Sequence, residues 1–362
     1  MKHWFISAAV FAAAVFGLLS SCSYQPRQGC AVWHPAARVE SGDARYDMGV
    51  SAMYAGVVGG VLVVAGGANF PDTPASEGGR KAFYDHIYKY DGRGWQCVGR
   101  LPEPAAYGVS YSCGDRLIVV GGANVSGALR SVYSVELKDD TAVISSFFEL
   151  PHAIEQAAGA STDGRLYLFG GIADGEPSAS LYMLDTETND AQWVELAAAP
   201  EPMVQPVMAA SGGRLYVWGG FNSSTKDVSS NGYCYDPQSD TWSPAAGHPD
   251  GGTFTGACAV TLADGGILCA GGVDREIFAA ALQLNGDESR EYLRQPVGAY
   301  RFQRRLHIYD PSTDGWRCGG EAECAARAGA SMVTFDGRVW ILGGELKPGI
   351  RTPENFYSTD YN

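Results

Sequence analysis

The sequence predicts an all-β fold, a six-bladed β-propeller whose last blade is completed by a strand from the N-terminal end of the chain. Three observations lead there. A β-rich run ending in Gly-Gly occurs six times, the spacing is regular but for one interval, and a spare Trp-bearing strand precedes the first unit while the last lacks one.

The runs are Leu62 to Gly67, Ile118 to Gly122, Leu166 to Gly171, Leu215 to Gly220, Ile267 to Gly272 and Val339 to Gly344. Their first glycines stand at 66, 121, 170, 219, 271 and 343, at intervals of 55, 49, 49, 52 and 72 residues. A period near fifty with this motif resembles the kelch repeat. After each Gly-Gly come a loop, an alternating strand such as Ile87-Tyr88-Lys89-Tyr90-Asp91, and usually a Trp on the next strand (Trp95, Trp193, Trp242, Trp316). One more short strand precedes each run, so every unit supplies four. A four-stranded unit buries both faces only by stacking on neighbours around an axis. Glycine suits the repeated position because it accepts positive φ and lets a neighbouring backbone come close.

The last unit reaches Tyr361-Asn362 without a Trp-bearing fourth strand. The stretch Ala31-Val32-Trp33-His34 is expected to pair there and cover the open edge. The 72-residue interval holds an insertion at about 275–304, in which Glu288 to Leu293 has helical character. A long insertion on a regular scaffold is expected to serve as a lid.

Met1-Lys2-His3 precedes an apolar run from Phe5 to Leu19, too short for a stable membrane span but suited to the core of an export signal. Leu19-Ser20-Ser21-Cys22 resembles a bacterial lipobox, in which the Cys thiol carries the lipid. The expected organisation is a leader over 1–21, lipid on Cys22, a linker over 22–30 and the propeller over 31–362, in an exported, periplasmic, lipid-anchored protein. The other eight cysteines (Cys30, Cys97, Cys113, Cys234, Cys258, Cys269, Cys318, Cys324) permit disulfides without requiring any, and several fall in apolar strands where a free Cys acts as a small hydrophobe. No C-x-x-C pair occurs and the six histidines are scattered, which argues against a Cys/His metal site. The net charge of −14 argues against nucleic acid or an anionic membrane surface as partner and makes any anionic ligand depend on local cations. No nucleophile elbow, P-loop or dinucleotide fingerprint is found.

In such a ring the loops after the Gly-Gly strands surround one mouth of the central channel. The second residue past each Gly-Gly is Asn69, Asn124, Ala173, Asn222, Asp274 and Leu346; the four Asn or Asp among them, with Lys347, are candidate ligand contacts, although turn chemistry explains Asn and Asp equally well. The sixth loop differs. It runs Gly343-Gly344-Glu345-Leu346-Lys347-Pro348-Gly349-Ile350-Arg351-Thr352-Pro353, with a carboxylate directly after the glycines and two cations close behind. A carboxylate at a channel mouth can act as a general base, and an Arg fork can hold a substrate carboxylate. Gln205 and Arg327 complete the candidate contacts.

The loop from Gly344 to Thr352 resembles the active-site loop of the N-acetylneuraminate epimerases, the sialic acid mutarotases. Gly271-Gly272-Val273 with Ile277-Phe278, the insertion, and Asp310-Pro311-Ser312-Thr313 before Trp316 resemble the family's insertion-bearing blade. Ala65-Gly66-Gly67-Ala68 and Ala106-Tyr107-Gly108-Val109-Ser110 resemble blades that come late in the family's usual order and here come first, as in its cyclically permuted branch. By this resemblance Glu345 matches the proton acceptor and Arg351 its partner, and the substrate is a sialic acid whose anomers interconvert for uptake and use. Neither cofactor nor metal is needed for that reaction. Arg351 is assigned to the substrate carboxylate on chemical grounds, and the acid partner is open between Lys347 and water. Two departures touch the substrate shell: Met203-Val204-Gln205 stands where the family has Arg-Asp-Gln, and Ala105 where it has Arg. The alternatives are a non-catalytic propeller that binds glycan or protein and, with an incomplete Asp-box-like stretch at Asp310 to Trp316, a sialidase.

Overall fold

The computed structural model describes residues 31–188 and 191–361, so the expected leader, the Cys22 lipid site and the linker lie outside the described residues. The fold is all-β. Six four-stranded antiparallel sheets carry it. Sheet 1 is built from Tyr54–Val58, Val61–Ala65, His86–Tyr90 and Trp95–Arg100; sheet 2 from Val109–Cys113, Arg116–Val120, Val132–Lys138 and Thr141–Ser146. Sheet 3 takes Ala158–Thr162, Arg165–Phe169, Leu181–Asp185 and Val194–Leu196, and sheet 4 takes Val204–Ser211, Arg214–Phe221, Gly232–Asp236 and Thr241–Ala245. Sheet 5 comprises Ala257–Thr261, Ile267–Gly271, Arg305–Asp310 and Gly315–Glu321. Sheet 6 has Ser331–Phe335, Arg338–Leu342 and Asn355–Ser358, and its fourth strand is Trp33–Ala36, paired antiparallel with Trp33 opposite Ser358.

The second strand of each sheet is a continuous apolar run because it is covered on both faces. Leu62, Val63, Val64 and Ala65 are all buried: Val63 packs towards Leu117 and Val119 of sheet 2, Leu62 and Val64 towards Trp340 and Leu342 of sheet 6. The first strand of each sheet touches that of the next, and sheet 6 touches sheet 1. At or just ahead of the start of these strands, six residues with left-handed backbone form a closed hydrogen-bonded circle. Tyr107 N–H donates to Ala52 O (3.0 Å), Gln156 to Tyr107 (2.7 Å), Gln205 to Gln156 (2.8 Å), Gly256 to Gln205 (3.1 Å), Gly329 to Gly256 (2.9 Å) and Ala52 to Gly329 (2.7 Å). Each sheet contributes one donor and one acceptor, so no backbone group at this narrow point is left unpaired.

The four repeated tryptophans tie the outer edges of sheets 1, 3, 4 and 5 to the segment before each. Trp193 Nε1 donates to Phe148 O (2.8 Å), Trp242 to Ala197 O (2.7 Å) and Trp316 to Ala246 O (3.0 Å); Trp95 of sheet 1 donates to Ala37 O (2.9 Å), just past the N-terminal strand. The N-terminal segment therefore occupies the position that an outer strand holds elsewhere in the ring. The seven described cysteines are all free thiols.

The glycine pairs meet both requirements that the sequence placed on them. Gly121 has φ +56°, and a Cβ there would lie 2.6 Å from the carbonyl oxygen of Ile154, to which Gly122 N–H donates at 2.8 Å. Gly121→Ala is expected to cost about 2 kcal/mol or more, combining left-handed strain with backbone overlap. Gly92→Ala, with φ +91° but nothing near its Cβ position, should cost only the strain, about 1–2 kcal/mol. Denaturant midpoints compare the two, and equal losses would remove close approach as the reason for the motif.

Between Gly271 and Arg305 lie helix α1 (Arg275–Ala281), helix α2 (Gly286–Arg294) and a 3-10 turn (Val297–Tyr300). Arg275 Nε donates to Val228 O (3.0 Å) and Phe278 packs edge-on against Phe221, seating α1 over sheet 4. Helix α2 reaches across to the Ala75–Glu77 turn in the loop of sheet 1.

Candidate active site at the ring mouth

Glu345 and Arg351 meet because their loop is a small hairpin. Glu345–Lys347 pairs with Ile350–Arg351, placing Glu345 directly opposite Arg351. Pro348-Gly349 forms the turn: proline presets φ at the first corner and Gly349, at φ +88°, supplies the left-handed second corner. The hairpin is anchored to sheet 6 by Glu345 N–H to Ala328 O (2.8 Å) and Ala328 N–H to Glu345 O (3.0 Å).

Arg351 Nη1 is ion-paired with Glu345 Oε2, and Arg351 Nη2 donates to the Tyr107 hydroxyl at 3.3 Å. The guanidinium side chain is only 5% exposed and lies 5.4 Å from the centre of the Phe70 ring. Burial pushes the Glu345 carboxyl above its ordinary range; Arg351, the Gly349 N–H and Lys81 oppose this by favouring the ionised form. Tyr292 of α2, pushed up to about 12 by burial, then by Tyr300 and Glu345, stays neutral beside it.

These groups line a cavity of about 650 Å³, ample for a monosaccharide. Its floor includes Gln156 and Gln205, joined by a Gln205 Nε2 to Gln156 Oε1 hydrogen bond of 2.5 Å. Its wall includes Phe70, Lys81, Phe83 and Tyr107, and Leu293 of the insertion reaches it from above.

Of the residues that the sequence singled out, Glu345, Arg351, Gln205 and Asn124 line this cavity. Asn124 is partly committed, donating to Glu103 (3.1 Å) and accepting from Ser126 N–H (2.7 Å). The others stand elsewhere. Asn69 is buried, its amide donating to Arg45 O and Gly49 O and accepting from the Tyr84 hydroxyl. Asn222 closes its own turn by accepting from Ser224 and Thr225 N–H. Asp274 caps α1 through Ile277 N–H and pairs with Arg301 at 3.4 Å. The expectation that this loop position rings the mouth is thus corrected for those three: Asn222 and Asp274 satisfy local backbone first, and Asn69 is taken up by the segment before the first sheet and by Tyr84. Arg327 is also corrected: it is 4% exposed, and its Nη1 donates to Gly343 O (2.6 Å) and Glu354 O (2.9 Å), holding sheet 6 together. Lys347 points to the insertion, donating to Leu293 O (3.0 Å) and Gln295 O (2.7 Å) at the C-terminal end of α2, where a cation complements the helix dipole. It ties the insertion to the hairpin, and its ammonium is taken up there.

Lys81, Phe70, Phe83 and Gln156 escaped the sequence reading, and Tyr107 entered it only as part of a family-like stretch. The left-handed positions 52, 107, 156, 205, 256 and 329 recur with the repeat, but their residue types share no motif.

An ion-paired carboxylate and guanidinium lining one cavity define a candidate small-molecule site. The chain belongs to the N-acetylneuraminate epimerase family, whose model matches residues 21–145 and 147–359. It is 34% identical over 140 residues to an N-acetylneuraminate epimerase of Brucella melitensis biotype 1, covering 35% of this chain and 36% of that one. It is 32% identical over 130 residues to one of Yersinia pestis, covering 33% of each. These matches span about a third of the curated relatives' length. Among solved structures it is similar to that titled "Structure of YjhT", with TM-score 0.51 and 27% identity over 59% of this chain and 65% of that chain.

Proposed function

We propose that the six sheets are the blades of one closed propeller and that its mouth is an isomerase site interconverting the anomers of N-acetylneuraminic acid or a related sialic acid. The observation that carries this is the cross-strand pair of Glu345 and Arg351, its guanidinium side buried and its carboxylate partly exposed, lining a sugar-sized cavity. The family membership supports the choice of sugar, and matches confined to about a third of each relative suit a permuted blade order.

Glu345 takes the proton of the anomeric hydroxyl, the bond from the anomeric carbon to the ring oxygen breaks, and the electron pair goes to that oxygen. Both oxygens sit on one carbon, so protonated Glu345 can return the proton to the ring oxygen, and reclosure on the other carbonyl face reverses each step. Arg351 keeps the carboxylate ionised and aimed. With the expected leader and lipid anchor, this activity would serve sialic acid arriving at the cell envelope.

NMR-monitored exchange on N-acetylneuraminic acid beside neutral hexoses tests the reading: acceleration of the acid sugar is expected, and binding without acceleration would make the protein a glycan-binding module instead. The pH dependence follows from the Glu345 environment. The base must be ionised, so kcat/KM rises with pH along a limb set above the ordinary carboxylate range. Arg351→Met removes a cation that lowers this pKa, so the limb is expected to move to higher pH and the rate at neutral pH to fall. A limb that stays in place would exclude Arg351 as the charge partner of the base.

A further inference from the structure

The pairing of Arg351 with Glu345 leaves open what holds the carboxylate of an acidic sugar. Of the cavity-lining residues, Lys81 and Arg351 are the cations, and Glu155 and Glu345 the anions. Arg351 already serves Glu345 and Tyr107. The Lys81 ammonium has no carboxylate paired with it among the described residues and instead stands 4.3 Å from the centre of the Tyr107 ring, 5.9 Å from Phe70 and 6.0 Å from Phe83. Three aromatic faces fix a flexible lysine by cation–π attraction without neutralising it. Tyr107 is itself fixed, by its left-handed backbone in the hydrogen-bonded circle and by Arg351 on its hydroxyl. An unneutralised cation held at a cavity wall, in a chain of net charge −14, is poised for an anionic ligand.

We propose that Lys81, cradled by Phe70, Phe83 and Tyr107, seats the substrate carboxylate and sets the preference for acidic over neutral sugars. In a 2-keto acid sugar the carboxylate is attached to the anomeric carbon itself. Its anchor must therefore sit in the same cavity as the base, as Lys81 and Glu345 do. Phe70 lies against both Lys81 and Arg351, so the two cations flank one apolar surface. This assignment deepens the isomerase reading and rests on it.

The test compares anomer exchange of N-acetylneuraminic acid and its methyl ester by wild type, Lys81→Gln and Lys81→Arg, after unfolding midpoints show that the variants are folded. In Lys81→Gln the acid-over-ester ratio of kcat/KM is expected to fall about tenfold, mainly through KM for the acid, as loss of one charge-assisted hydrogen bond implies. Lys81→Arg should restore part of the ratio. An unchanged ratio, or equal loss on acid and ester, would overturn the assignment. If wild type accelerates neither sugar, the isomerase reading fails by itself. Calorimetric binding of acid and ester to wild type and Lys81→Gln then decides the carboxylate seat: selective loss of acid binding supports it, and its absence overturns it.

Discussion

Glu345→Gln is expected to lower kcat/KM for anomer exchange about a thousandfold, within the span of a positioned general base. The amide matches the carboxylate in size, so the hairpin and cavity keep their shape while the proton acceptor is lost. The substitution also leaves the Arg351 guanidinium without its anion, at a stability cost of about 1–3 kcal/mol. Activity and unfolding are therefore measured together: a folded variant that has lost exchange supports the assignment, and one that equilibrates the sugar as fast as wild type overturns it.

Deletion of residues 31–37 is expected to destabilise the whole fold by about 5 kcal/mol or more, with a large fall in the thermal midpoint. The deletion removes the outer strand of sheet 6 and exposes the unpaired edge of Asn355–Ser358. It also removes the Trp33 ring, packed 5.9 Å from Tyr361, and the Ala37 carbonyl that receives both Trp95 and Asn355. Trp33 is partly buried, so its ring contributes part of the cost, and each lost ladder hydrogen bond adds about 1 kcal/mol. Because sheet 6 touches both sheet 5 and sheet 1 through its first strand, the loss should be global. Calorimetry checks this, and an unaltered midpoint would show that the N-terminal strand is dispensable.

Several elements were legible because they rest on local chemistry that repeats. The glycine pairs mark places where backbone approaches backbone, and only one residue type permits it. Trp33 was recognisable because four of the other five units carry a Trp at the outer strand. The loop that carries Glu345 and Arg351 was visible because a carboxylate and two cations broke an otherwise repeated pattern, whereas its pairing as a hairpin was not. The loop Asn and Asp residues misled for the same reason, since a side chain that suits a turn in sequence also spends its polar atoms on that turn, as Asn222 and Asp274 do.

By itself the sequence determined the number of repeat units, the N-terminal strand as fourth member of the last unit and the loop that holds the candidate pair, since period, turn chemistry and local spacing are properties of the chain alone. Tertiary structure decided the rest. Arg351 joins Glu345 instead of standing free, Lys347 holds the insertion, and Lys81 rests on rings from positions 70, 83 and 107. Such contacts form only when distant segments pack, and the burial that shifts the Glu345 carboxyl exists only in the folded ring.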